Sequence, residues 1–309
     1  MIFLFNQLGT FMNIFKITTL ALAVFTLASG AIAQTAPAPA PAPAASPITS
    51  NVTVVNDYRY RGMTQSNYKP AIQGGFDYAH RSGFYIGNWN SSISWIGDSY
   101  PTGSNTGGVV SAPVEMDFYA GFKKEFLGVG FASDIGILQY YYPSNGIRQA
   151  VQNTTNCGTT SRATCGTNPN TTELYLAQNF AYGPASGFAK VSYSITNIFG
   201  YYNSKGSYYP DLTLNYDTGV MGLTLNAHVG YQYISNTQTS GGIKYDFSYT
   251  DYKLGITKDF GGGLIGNISY VSTSNPKIGT AYLWSTTTTQ TAQSGSGKSG
   301  GLISLTKTF

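Results

Sequence analysis

From about residue 50 to the end of the chain, apolar and polar residues alternate in short runs with a period of two, the period of a β-strand with one apolar face. The clearest run starts at Met221. There Met221, Leu223, Leu225, Ala227, Val229, Tyr231 and Tyr233 fall on one face, and Gly222, Thr224, Asn226, His228, Gly230 and Gln232 on the other. Twelve such segments are predicted, at 51–61, 70–80, 83–96, 113–125, 129–141, 172–182, 187–200, 209–218, 221–235, 245–259, 263–273 and 300–309. Alternation alone suits a soluble sandwich as well as a membrane barrel.

The connections separate the two. Every second one is short: Arg81-Ser82-Gly83, Phe126-Leu127-Gly128, Gly183 to Ser186, Thr218-Gly219-Val220 and Phe260-Gly261-Gly262. The intervening ones are mostly long: Gly97 to Ala112, Tyr142 to Thr171, Tyr201 to Tyr208, Ser235 to Lys244 and Ser274 to Ser299. A sandwich has no reason to sort its loops by parity. An up-and-down barrel in the bacterial outer membrane does, with short periplasmic turns, long extracellular loops and an even strand count. Closure is obligatory in lipid, because an open edge would leave backbone groups unpaired. The last strand ends on Phe309, an apolar ring that suits the aromatic girdle and is expected to be read by the barrel-assembly machinery. The predicted fold is therefore all-β, a transmembrane antiparallel up-and-down β-barrel of about 12 strands over 50–309.

With the apolar face turned to lipid, the charges sort inward. In the first segment Val52, Val54, Tyr58 and Tyr60 share the outer face, leaving Asp57, Arg59 and Arg61 inside. Phe76 and Tyr78 point out and Asp77 in. In the fourth segment Val114, Met116, Phe118 and Phe122 face lipid, opposite Glu115, Asp117 and Lys123. Asp134, Lys190, His228, Asp251 and Lys253 follow the same rule. These twelve inward residues are the candidate pore lining. They act either as a constriction filtering solutes by size and charge, or as cross-strand pairs bracing a narrow barrel with no continuous pore. Lys307 breaks the rule by sharing a face with Ile303, Leu305 and Phe309: either it snorkels to the headgroups or the register is broken there.

Composition narrows the class further. Only 10% of residues are charged, against about 25% in soluble proteins, while 15% are aromatic and glycine is plentiful at 37. Lipid in place of a charged surface accounts for the first figure and Tyr-rich girdles for the second. The net charge of +4, or +3 without Lys16, is too small and dispersed for a nucleic-acid partner. Lys16, the apolar run Ile17 to Ser29 and Ala31-Ile32-Ala33 read as a signal peptide over 1–33, with Met12 a suitable start. An Ala/Pro-rich linker, stiff and extended, follows over 34–49. Cys157 and Cys165 lie in one polar stretch and suit a small disulfide-closed loop in an oxidising compartment. No His lies near them to favour a metal, and no metal or cofactor is expected.

The run Asn51-Val52-Thr53-Val54-Val55-Asn56-Asp57-Tyr58-Arg59-Tyr60-Arg61-Gly62-Met63-Thr64-Gln65, followed by Pro70 to Tyr78 and Gly83 to Trp89, resembles the opening of the TorF family, a group of bacterial porin-like outer-membrane proteins. The closing Lys307-Thr308-Phe309 is also similar to that family's end. The resemblance implies an outer-membrane barrel and a pore; it brings no substrate and no catalytic residue. The Cys-bearing loop and the segment Ser285 to Ser296 look like insertions relative to it.

Two motifs invite other readings. Gly295-Ser296-Gly297-Lys298-Ser299 resembles part of a phosphate loop, but the first glycine of that motif would fall on Ala292 and no helix-forming sequence follows. Of the two histidines, His80 sits at a predicted periplasmic turn. His228 shares the lumen face with Thr224 and Asn226, where a barrel-wall hydrolase such as the outer-membrane phospholipase would need it turned to lipid. The reading is thus a non-enzymatic outer-membrane channel for passive diffusion of small hydrophilic solutes. A structural or adhesive barrel without an open pore, and a barrel-wall lipid hydrolase, are the alternatives.

Overall fold

The computed structural model describes residues 46–99, 110–145, 168–201, 203–235, 238–240, 243–275 and 295–309. The signal peptide, most of the Ala/Pro linker, Cys157, Cys165 and most of Ser285 to Ser296 lie outside these residues. Twelve strands close into one antiparallel barrel: β1 (Ile48–Val55), β4 (Ala71–Ala79), β5 (Phe84–Ser92), β6 (Val114–Glu125), β7 (Phe131–Tyr141), β8 (Thr171–Tyr182), β9 (Ala185–Ser194), β10 (Tyr208–Asp217), β11 (Leu223–Gln232), β14 (Tyr249–Asp259), β15 (Leu264–Thr273) and β16 (Gly300–Thr308). The remaining elements are two short ribbons, β2 (Arg59–Tyr60) with β3 (Met63–Thr64) and β12 (Gln238–Ser240) with β13 (Ile243–Tyr245), and one helical turn, α1 (Trp95–Ser99). Each barrel strand pairs with its sequence neighbours, and β1 closes the ring on β16 through pairs such as Val52 with Lys307 and Val54 with Leu305. No helix among the described residues is long and apolar enough to cross a membrane.

The parity of the loops is built into the backbone. All five short turns carry a glycine at positive φ, among them Gly83, Gly128, Gly183, Gly219 and Gly261, a conformation that other residues adopt only at a steric cost. The outer wall is a continuous apolar band. Ile72, Ile135, Leu176, Leu254, Ile268 and Ile303 are each more than 60% exposed, in a barrel whose charged side chains mostly point inward. Strands of 8 to 12 residues match the roughly 9–11 that a tilted strand needs to cross hydrocarbon. The wall register is intact at Lys307, which pairs with Val52 and Leu264, so the broken-register alternative is excluded. Its ammonium group bonds the Gly262 carbonyl in the β14–β15 turn and lies 5.6 Å from the Phe309 ring centre.

Inside, tyrosine side chains close over glycines of the wall. Tyr119 covers Gly87, Tyr85 covers Gly121, Tyr175 covers Gly136 and Tyr209 covers Gly230. A Cβ on Gly136 would stand 2.5 Å from the Tyr175 ring, so the ring keeps this place only while that position has no side chain.

One strand differs from expectation. The first segment was predicted to run straight through 51–61 with Tyr58 and Tyr60 facing lipid. Instead β1 stops at Val55 and the chain turns inward, so Tyr58 is 7% exposed and Tyr60 packs on the same buried cluster. The cause is local. Asn56 hands its side chain to β16, its Nδ2 donating to Gly301 O at 3.1 Å and its Oδ1 accepting from Ile303 N at 2.8 Å. Arg61 and Gly62, both at positive φ, then form the two-residue turn of the β2–β3 ribbon, as a tight hairpin requires. At the long-connection rim, Tyr58, Trp95, Ile96, Tyr140 and Tyr142 make a dry core, and Ile198, Tyr201, Ile234 and Phe247 a second.

Candidate functional site in the barrel lumen

The connection from β1 to β4, residues 56–70, folds back into the barrel and occupies the lumen on the long-connection side. It is anchored by charge. Arg61 Nη2 donates to Glu173 Oε2 on β8 at 2.6 Å and Nη1 to Gln232 Oε1 on β11 at 2.5 Å. The guanidinium lies 4.2 Å from the Tyr209 ring centre and 4.8 Å from that of Tyr60, within cation–π range. Arg59 pairs with Asp57 and donates to the carbonyls of Gly62 at 2.9 Å and Lys298 at 2.8 Å. Tyr58 and Tyr142 donate to the two oxygens of Glu115 at 2.5 and 2.7 Å. Burial first, and the carboxylate of Glu115 second, hold both phenols well above the ordinary tyrosine value, which keeps them donors. The tip of the ribbon needs Gly62 for room as well as for φ, since a Cβ there would stand 2.7 Å from the Asp251 Cβ.

The segment read as a partial phosphate loop has a structural role against this inner loop. Its backbone accepts from it: Thr64 N donates to Ser296 O at 3.0 Å, Tyr68 OH to Gly295 O, and Arg59 to Lys298 O. Carbonyls rather than amides therefore face the inner loop, the wrong polarity for a phosphate cradle.

Below the inner loop, toward the short turns, a cavity of about 390 Å³ opens against the wall made by β9 to β16. Its upper edge is Arg59, Tyr60, Arg61 and Gly62, and its floor is neutral and polar. In that floor Asn226 Nδ2 donates to Asn215 Oδ1 at 2.8 Å, Thr257 to Asn226 Oδ1 at 2.7 Å, and Asn267 Nδ2 to Thr257 at 2.9 Å. Between the two lies a charged belt. His228 Nδ1 is 3.0 Å from Asp211 Oδ1 and its Nε2 2.7 Å from Asp251 Oδ2. Tyr209 donates to Asp251 Oδ1 at 2.7 Å, and Lys190 Nζ stands 3.8 Å from Asp211 Oδ2.

The twelve residues predicted to line a pore divide into three groups. Arg59, Arg61, Lys190, His228, Asp251 and Lys253 border the cavity. Asp57, Glu115 and Asp117 are buried in the seam between inner loop and wall, at 4%, 2% and 7% exposure, and so brace the barrel. Asp77 accepts from Tyr119 at 2.5 Å and Asp134 from Tyr85 at 2.6 Å, the latter hydroxyl also bonding Tyr175; Lys123 lies exposed near a short turn. His228 faces the lumen and makes its contacts with Asp211, Asp251, Tyr209 and Thr213, an arrangement that holds the ring in place. Sequence reasoning passed over Glu173 and Asp211, the carboxylates on which Arg61, Lys190 and His228 depend. Both sit one residue from an exposed leucine, Leu174 and Leu212, so the alternation rule marks them as inward.

A search against family models matches residues 40–309 to a bacterial family of unknown function, Gcw_chp. The chain belongs to the Gcw_chp family. The match takes in the barrel and its inner loop alike. A search of curated proteins finds no match. Among solved structures, the NanC porin is 8% identical with a TM-score of 0.48, covering 84% of this chain and 98% of that one. The KdgM porin is 7% identical at 0.45, covering 85% and 98%. OprD of Pseudomonas aeruginosa is 12% identical at 0.37, covering 85% and 66%.

Proposed function

We propose that this Gcw_chp protein is a porin-like channel of the bacterial outer membrane, through which small hydrophilic solutes diffuse passively. The observation that carries the proposal is the conjunction of an apolar outer band with a charged and amide-lined cavity inside the same closed wall. A barrel built only for anchorage has no need of a polar cavity; one built for permeation has. The inner loop acts as the constriction, and the resemblance of Asn51 to Trp89 to the TorF porin-like proteins agrees with this reading. The burial of Asp57, Glu115 and Glu173 favours a second reading, a barrel sealed by its inner loop that serves as a surface scaffold. Refolded protein in a planar bilayer separates them: a channel gives discrete current steps, whereas a sealed barrel of native heat-modifiable mobility gives none.

The site of action also has a test. Phe309 is 71% exposed at the end of β16, where its ring is free to be read by the assembly machinery before the wall closes. Phe309→Ala should lower the amount of barrel inserted in the outer membrane several-fold without altering conductance per channel. Unchanged insertion would remove that role from the C-terminal ring.

A further inference from the structure

From the cavity we infer that the permeating solutes include small organic anions, and that Lys253 is the residue that holds them. This rests on the channel reading above and names the chemical class that the channel selects. Five cationic or imidazole side chains border the cavity, and four have acidic partners: Arg59 with Asp57, Arg61 with Glu173, Lys190 with Asp211, and His228 with both Asp211 and Asp251. The carboxylates are committed in turn. Asp251 accepts from Tyr209 and meets His228 Nε2, and Asp211 accepts from Thr213 at 3.2 Å besides its ion pairs. Lys253 stands beside His228 in the β11–β14 register and, among the described residues, has no hydrogen bond or ion pair. It therefore presents three free N–H donors to the cavity.

A half-buried ammonium group facing a low-dielectric wall is stabilised by a counter-charge, and neither carboxylate bordering the cavity, Asp211 nor Asp251, is free to supply it. The space below Lys253 is suited to the rest of such a ligand. Asn215, Asn226, Thr257 and Asn267 offer hydroxyl and amide groups, which match a hydroxylated carbon chain better than an apolar one. At about 390 Å³ the cavity falls in the range of small-molecule sites. The ligand class is thus a small hydroxylated carboxylate, its anionic head on Lys253 and its hydroxyls on the amide floor.

The test uses single channels of the full mature protein in a planar bilayer in potassium chloride. Gluconate and glucose, alike in carbon number and hydroxylation but different in charge, are added in turn. Gluconate should interrupt the chloride-phase current saturably while glucose leaves it unaffected. Lys253→Gln should raise the half-blocking gluconate concentration at least tenfold, and Lys253→Arg should restore block. Channels that conduct but are blocked equally by both solutes, or equally in K253Q and wild type, would overturn the anion assignment and leave the channel reading standing. Absence of any conductance from correctly folded barrel would overturn both.

Discussion

Arg61→Ala is expected to enlarge the single-channel conductance several-fold and to free the inner loop from the lumen. The side chain joins that loop's hairpin tip directly to Glu173, which Tyr60 reaches only through the Tyr140 hydroxyl, and it is also bonded to Gln232. Its own side chain is 6% exposed and that of Glu173 1%. Removing one member of so buried a pair leaves the other charge uncompensated, at a cost of about 3–5 kcal/mol. The loop can relieve this by withdrawing, since water then reaches Glu173. Hydrogen exchange of the amides at 58–66 should accelerate in step with the rise in current. Arg61→Lys keeps the charge but not the fork, and should fall between wild type and alanine. If conductance and exchange both stay at wild-type values, Arg61 does not hold the loop.

Leu254→Lys should destabilise the folded barrel in membranes by about 2–4 kcal/mol, the penalty for a basic residue near the midplane of the lipid-facing wall. Leu254 lies at the middle of β14 and is 64% exposed on the outer face. The residue before it, Lys253, carries the same charge natively because it faces the cavity. The two positions therefore form an internal control for the inside and outside of the wall. A urea titration of the protein folded in lipid vesicles reads the difference as a lowered midpoint. Equal midpoints for the variant and wild type would mean that this face does not meet lipid.

The wall was legible in the sequence because every strand follows one rule, apolar out and polar in, and the turns repeat a glycine that positive φ demands. Strand number, parity and the inward direction of Glu115, Asp117, Lys190 and Asp251 followed from that rule alone. The inner loop did not. Val52, Val54, Tyr58 and Tyr60 keep one face across Val55, interrupted only at Asn56, and tyrosine suits a lipid girdle as well as a dry core. Asn56 and the Arg61-Gly62 pair were the available signals, and both are weaker than the Asn-Gly type that marks a hairpin by itself. The pairing of Arg61 with Glu173, 112 residues away, depends on closure of the barrel, which no local pattern encodes. The cavity was equally hidden. Its edge at Tyr209 depends on that ring closing over Gly230 of the next strand, a relation between neighbouring strands.

The central claim is that a polar passage runs through this wall and is narrowed by the loop between β1 and β4. Single-channel recording of the refolded mature protein tests it most directly. The account predicts discrete, uniform steps that become larger in Arg61→Ala. Protein that shows native heat-modifiable mobility, inserts into the bilayer and gives no steps in either form would contradict it.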